Sequence, residues 1–226
     1  MSNYAPNESA LVTEKSPKRA VRKRSLILSA AMHHFANHGY EAARVGDMAS
    51  QLGIAKGSVF QHFGSKDGLF LEAYKTAIQS LPKYLDVPED VKRAGFFAVV
   101  RYRLSLPAEF WAPHNVANRI VLLGNYGSDL NLKKRIAQYL ASEDPLGIAE
   151  LMKLGIERGE VRKDLDLALI TAFLECTFER MQDFLVSSET DRALFNRTDN
   201  FAGGREELIN QFVALLRCAI GSGNAS

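Results

Sequence analysis

Between Ala55 and Phe63 the chain sets Lys56, Gly57, Ser58, Gln61 and His62 against an apolar group of Val59, Phe60 and Phe63. These outward residues are small, polar or basic, a face suited to a polar partner rather than to the core. A second set, His33, His34 and His38, includes an i, i+4 pair able to hold a metal ion on one helix face. No HExxH, paired catalytic carboxylates, G-x-S-x-G or phosphate-binding loop accompanies it. The three histidines are therefore read as exposed side chains near a helix C-terminus, and neither catalysis, a metal nor a cofactor is expected.

The elements that position the polar face follow from apolar spacing. Ile27, Leu28, Ala31 and Phe35 recur at helical intervals until Gly39 supplies a stop. Val45, Met48, Ala49 and Leu52, at i, i+3, i+4 and i+7, define a second, short helix ended by Gly53. A third begins at Ala55 or Lys56. Two short helices joined by a tight turn, the second with a polar outer face, form a helix-turn-helix over roughly residues 45–63, the geometry in which a recognition helix enters the ~12 Å major groove. A fourth helix opens with Ser65 as N-cap and Asp67 in its first turn, buries Phe70, Ala73, Ala77 and Leu81, and meets Pro82.

Charge is distributed as this reading requires. Residues 1–66 hold nine Lys/Arg against four Asp/Glu, while the remainder holds nineteen against twenty-two, so a basic head precedes a mildly acidic body. The basic cluster Lys15, Lys18, Arg19, Arg22, Lys23 and Arg24 suits phosphates or a neighbouring minor groove, or alternatively a solvated tail. No apolar run approaches the ~18–20 residues of a membrane span and no export signal opens the chain, so a cytoplasmic location without membrane contact is expected. The two cysteines, Cys176 and Cys218, lack metal-ligand spacing and are read as small buried hydrophobes.

Beyond Val87 the chain reads as further helices punctuated by Pro107, Pro113, Gly127 and Pro145, with no period-two alternation. The fold class is all-α: a disordered basic arm (1–20), a three-helix DNA-binding domain (21–66) and a larger helical domain (67–226). Residues 165–186 and 206–220 are apolar on more than one face, which calls for two burial partners. An intermolecular four-helix interface through Leu167, Ile170, Leu174, Phe178, Met181, Leu208, Phe212 and Leu215 is the reading, with a homodimer as its consequence, and a central helix buried inside one monomer is the alternative. Leu169, Ala172, Phe173 and Cys176 form the stripe beside it.

Read as one string, Ile27-Leu28, Ala31, Phe35, Gly39-Tyr40, Met48-Ala49, Leu52 to Phe60, His62-Phe63, Ser65-Lys66-Asp67 and Leu69 closely resemble the N-terminal domain of the TetR family of repressors. Gly159 to Arg162 with Asp164-Leu165-Asp166 resembles, more weakly, the turn before the family's dimerisation helix. The resemblance implies a transcription regulator that binds double-stranded operator DNA, with Lys56, Gly57 and Ser58 facing bases and phosphates, Gln61 and His62 next along the groove, and Lys66 gripping phosphate. Three positions depart from the family pattern: Phe60 replaces the usual tyrosine, Ala43-Arg44 the usual Thr or Ser, and Gly46 a common basic side chain. Arg44 can reach phosphate in compensation.

The resemblance also implies a small-molecule effector pocket in the C-terminal domain. An apolar or aromatic effector is expected near Phe96, Phe97, Tyr102, Phe110, Trp111, His114, Tyr126 and Phe173. Its binding would move helix 4, alter the ~34–36 Å spacing of the recognition helices and release DNA. The rival reading is a DNA-binding or protein-interaction dimer with no effector.

Overall fold

The computed structural model describes residues 17–80, 86–106, 115–190 and 204–223. Most of the expected arm, the helix end at Leu81 and Pro82, and the pocket candidates Phe110, Trp111 and His114 lie outside these residues. Among the described residues every regular element is helical apart from one bridge between Val161 and Gly221, so the fold is all-α. Two compact units divide after Glu72, inside a helix.

The first unit holds α1 (Pro17–Ala42), α2 (Val45–Gln51), α3 (Lys56–Phe63) and the opening turns of α4 (Lys66–Ser80). Helix α1 starts at Pro17, where a missing N–H costs nothing, so residues 17–20, expected in a disordered arm, are helical. Gly39 turns the chain at φ 75°, ψ 168° before the helix resumes to Ala42. Ile27, Ala31, Phe35, Met48, Ala49 and Val59 are essentially inaccessible, as the periodicity requires. The unit reaches past the expected boundary at Lys66 because the start of α4 is built into it. The Phe70 ring packs edge-on against both Phe35 and Tyr40 at 5.1 Å, and Glu72 pairs with Arg24.

His34 was expected to be exposed and is buried at 7%, since it lies seven residues after Ile27 and three after Ala31, on the inner stripe. Its Nδ1 has no hydrogen-bond partner, its backbone carbonyl is 2.9 Å from His38 Nδ1, and the two rings are 4.4 Å apart. Burial, then the neighbouring His38, hold its pKa below the usual histidine range, against a smaller opposing pull from Asp47.

The second unit comprises the end of α4, α5 (Glu89–Ala94), α6 (Phe96–Leu104), α7 (Val116–Tyr126), α8 (Leu130–Glu143), α9 (Ile148–Glu157), α10 (Leu167–Thr190) and α11 (Gly204–Ile220). Its core gathers Phe96, Phe97 and Leu104 of α6 with Met152, Val161, Ile170, Leu174, Ile209 and Leu216. Two glycines are there because neighbours occupy the space of a side chain. At Gly155 a Cβ would stand 2.8 Å from both the Phe96 ring and Val161, and at Gly124 it would meet the Tyr74 ring at 2.6 Å. The turn after α9 is closed by the C-terminal end of α11: Arg162 N–H donates to Ile220 O at 2.9 Å and Ser222 N–H to Glu160 O at 3.0 Å. The Glu160 carboxylate accepts from Phe96 N–H at 2.9 Å and so caps α6.

Two outcomes follow. Gly155→Ala overpacks the core and should cost ~1–3 kcal/mol, read as a melting temperature lowered by about 2–4 °C per kcal/mol. For His34, the unfolded chain takes up a proton near the ordinary value of 6.5 that the fold resists, so stability should decline as pH falls through that range. His34→Leu should flatten this decline in denaturant titrations at about pH 7.5 and about pH 5.5.

Candidate functional site

Helix α3 presents Lys56, Gly57 and Gln61 fully to the surface, with Ser58 and His62 half-buried beside them. Val59 and Phe63 anchor the opposite side, whereas Phe60, expected inward, is only half-buried and carries Lys56 Nζ 5.6 Å above its ring. The N-cap residue, Ala55, has no side-chain acceptor to offer the first turn, which leaves the helix start suited to an anion. Arg44 is exposed at the N-cap of α2 with extended backbone (φ −110°, ψ 118°) and no side-chain cap. A Cβ built at Gly46 or Gly57 meets nothing within 4 Å. Lys56, Gly57 and Gln61 are thus exposed on α3, with Ser58 and His62 half-buried beside them, while Arg44 is exposed just before α2 and Gly46 is half-buried in its first turn.

The start of α4 is more heavily tied than expected. Ser65 Oγ accepts from Gly68 N–H at 3.0 Å, the anticipated cap. The Tyr40 hydroxyl donates to Asp67 Oδ1 at 2.6 Å. Lys66 Nζ donates to Glu41 O at 3.1 Å and stands 4.6 Å from the Tyr40 ring, so the ammonium is held in place with donors left for a phosphate. Arg24, the last residue of the basic cluster suited to phosphates or to a solvated tail, is paired with Glu72 and stacked 4.9 Å over Phe63.

In the second unit a cavity of about 110 Å³ is lined by Tyr74 and Ile78 of α4, Arg103, Asn125, Asp144, and Glu175, Phe178, Glu179 and Gln182 of α10, among others. None of the described aromatic residues expected around a pocket, Phe96, Phe97, Tyr102, Tyr126 and Phe173, is among the described residues that line it. Phe96 and Phe97 are buried to 0% and 1% and fill the core, Tyr102 is half-buried, and Tyr126 and Phe173 are exposed. Large apolar rings serve the core first. The lining's signal was nonetheless present: Glu175, Glu179 and Gln182 interrupt an otherwise apolar helix on the same face as Phe178. The Tyr74 hydroxyl donates to Asn125 Oδ1 at 2.9 Å, and Asn125 Nδ2 donates onward to Glu179 Oε1 at 3.4 Å. Burial, then the Glu179 charge, push the Tyr74 pKa up.

The expected interface stripe is divided. Ile170, Leu174 and Phe178 are buried within the protomer, at 1%, 1% and 9%, because α10 turns that side to its own core. Met181, Leu208 and Phe212 are half-buried against the same core. What remains outside is Leu167, Leu169 and Phe173 on α10 and Leu215 on α11. Cys176 and Cys218, expected inside, are exposed on the same two helices. Among the described residues no cluster of metal-ligating side chains occurs, and no helix is long and apolar enough to cross a membrane.

Residues 27–73 match the model for bacterial regulatory proteins of the tetR family. The HTH-type transcriptional repressor AcnR of Corynebacterium jeikeium is 25% identical over 178 residues, covering 76% of this chain and 86% of the relative. A putative tetR family transcription regulator from Shewanella sp. PV-4 superposes with a TM-score of 0.62 at 20% identity, over 88% of this chain and 98% of that one. FadR from Bacillus subtilis, solved in complex with stearoyl-CoA, superposes with a TM-score of 0.61 at 21% identity, over 85% and 96%. These matches fall on the helix-turn-helix built above and on the helical unit behind it. Residues 27–73 thus match the DNA-binding region of tetR-family regulators, and the fold of the chain as a whole is similar to that of solved members of that family.

Proposed function

We propose that this regulator is a repressor that grips operator DNA as a homodimer and leaves it when a small effector occupies the cavity of the second unit. The observation that carries the DNA reading is the α3 surface, on which a lysine, an unobstructed glycine, a serine and a glutamine are gathered at a helix start free of any side-chain cap. Lys56 and Arg44 take phosphates, Gln61 reads a base edge, and Gly57 admits the backbone to the groove wall. Lys66, already fixed by Glu41 and Tyr40, adds a pre-positioned cation.

The homodimer is supported by the apolar surface left on α10 and α11. Leu169, Phe173 and Cys176 follow one another at i, i+4 and i+7, and Leu215 is 69% exposed. Contiguous exposed apolar side chains on two adjacent helices mark an association surface, and a two-fold pairing buries the same patch on both subunits.

Effector release is supported by helix α4. Its first turn carries the Tyr40–Asp67 bond, and its later turns supply Tyr74 and Ile78 to the cavity wall. A ligand that binds better when α4 is displaced shifts the population away from the DNA-binding form. FadR's stearoyl-CoA shows what such a relative can hold, although a cavity of about 110 Å³ suits a smaller molecule.

Gel-shift titration against DNA upstream of the protein's own gene, at two salt concentrations and with unrelated competitor, tests the reading. Saturable, competitor-resistant binding is expected, and its absence at low salt would overturn it. Lys56→Ala and Arg44→Ala should each weaken binding to all sequences and reduce the log–log salt slope by about one. Gln61→Ala should relax discrimination at one base pair by ~1–3 kcal/mol. Phe173→Asp should convert the dimer to monomer in sedimentation velocity and abolish operator binding while leaving helix content unchanged. A dimeric Phe173→Asp protein would place the interface elsewhere.

A further inference from the structure

Helix α1 is longer than its core requires. Among the described side chains the first that is buried is Ile27, while Ala20 to Lys23, Ser25 and Leu26 are all exposed. The helix nevertheless begins at Pro17, so its opening turns cover no apolar surface. Short helical stretches persist in water chiefly through packing, and this one finds none within the protomer.

Its charges also oppose it. From Lys15 to Tyr40 the chain carries six Lys/Arg and no Asp or Glu, and the first turn of α1 contains no acidic residue. Lys18 and Arg22 stand at i, i+4, as do Arg19 and Lys23, a spacing at which like charges repel. All four lie toward the positive end of the helix dipole. Arg24 is paired with Glu72, whereas Arg22 and Lys23 have no ion pair among the described residues. A solvated tail gains nothing from a helix that sets its cations against one another. A helix laid beside a polyanion does, because the partner's charge offsets the repulsion.

The position of the segment selects the polyanion. Arg24 stacks over the ring of Phe63, the last residue of α3, and both belong to the same compact unit. The basic turns of α1 therefore start beside the end of the helix that faces DNA. We propose that these turns are a second DNA contact, in which Lys18, Arg19, Arg22 and Lys23 neutralise backbone phosphates flanking the groove that α3 enters. This rests on the DNA reading given above. The contact adds affinity without base selectivity, since phosphates carry no sequence.

Lys18→Ala, Arg19→Ala, Arg22→Ala and Lys23→Ala combined remove the charges and leave a strong helix former at each place. Gel-shift titrations at several salt concentrations compare this variant with the unaltered protein on upstream DNA and on unrelated duplex. The log–log salt slope should fall by about three to four, because each neutralised phosphate contributes ~0.9. Affinity for both DNAs should drop by the same factor, at least about tenfold near 0.1 M salt. The pair Arg22→Ala, Lys23→Ala should give about half the change in slope, and neither variant should melt at a lower temperature. An unchanged slope, or a loss confined to one of the two DNAs, overturns the proposal. An unchanged slope accompanied by lost cosedimentation with phosphatidylglycerol vesicles overturns it in favour of a membrane surface. If the unaltered protein binds no duplex even at low salt, the DNA reading itself falls and this contact falls with it.

Discussion

The hydrogen bond from the Tyr40 hydroxyl to Asp67 is the junction on which the DNA-binding unit depends. Helix α3 has eight residues, too few to be stable alone, so its direction is inherited from whatever holds Val59 and Phe63. Arg24 stacks over the Phe63 ring, and in the same unit the aromatic packing of Phe35, Tyr40 and Phe70 joins the end of α1 to the first turns of α4. The bond to Asp67 sets the register of the junction. Because Asp67 sits in the first turn of α4, its negative charge also meets the positive end of the helix dipole. Lys66 then completes the corner by reaching back to Glu41 O, so one short stretch holds a carboxylate, an ammonium and a cap within a single turn.

Much of this unit was legible in the sequence because each of its helices has one inner face. A period of 3.6 residues, the Gly53 stop and a Ser65 cap place α2, α3 and the start of α4 nearly to the residue, whereas α1 begins earlier than expected, at Pro17, and resumes past Gly39 to Ala42. The miss at His34 was avoidable, since its spacing from Ile27 and Ala31 places it on the inner stripe. The pairing of Arg24 with Glu72, forty-eight positions later, was not readable, because long-range contacts leave no local pattern.

The second unit was legible in class and not in detail. Helix α10 is apolar nearly all round, and periodicity reports two stripes without saying which belongs to the protomer's own core. The structure assigns Ile170, Leu174 and Phe178 inward and Leu169, Phe173 and Cys176 outward. Pockets are harder still. A cavity exists where side chains fail to fill space, and that depends on how α4, α6, α7 and α10 meet. Aromatic composition pointed to Phe96 and Phe97, yet those rings fill space so well that they close the core. The better indicator was polarity in the wrong place, namely two glutamates one turn apart on an apolar helix.

The open space around Gly46 and Gly57 has a consequence for how such a protein diversifies. A side chain added at either site on the outer surface of α2 or α3 displaces no atom of the fold, so recognition can be rewritten there with little penalty in folding. At Gly124 and Gly155 the opposite holds, because the ring of a neighbour already occupies the position. The molecule thus separates positions free to vary from positions that are not. On the proposed reading of α2 and α3, single substitutions at the first pair alter the surface offered to DNA while the helical body stays as it is.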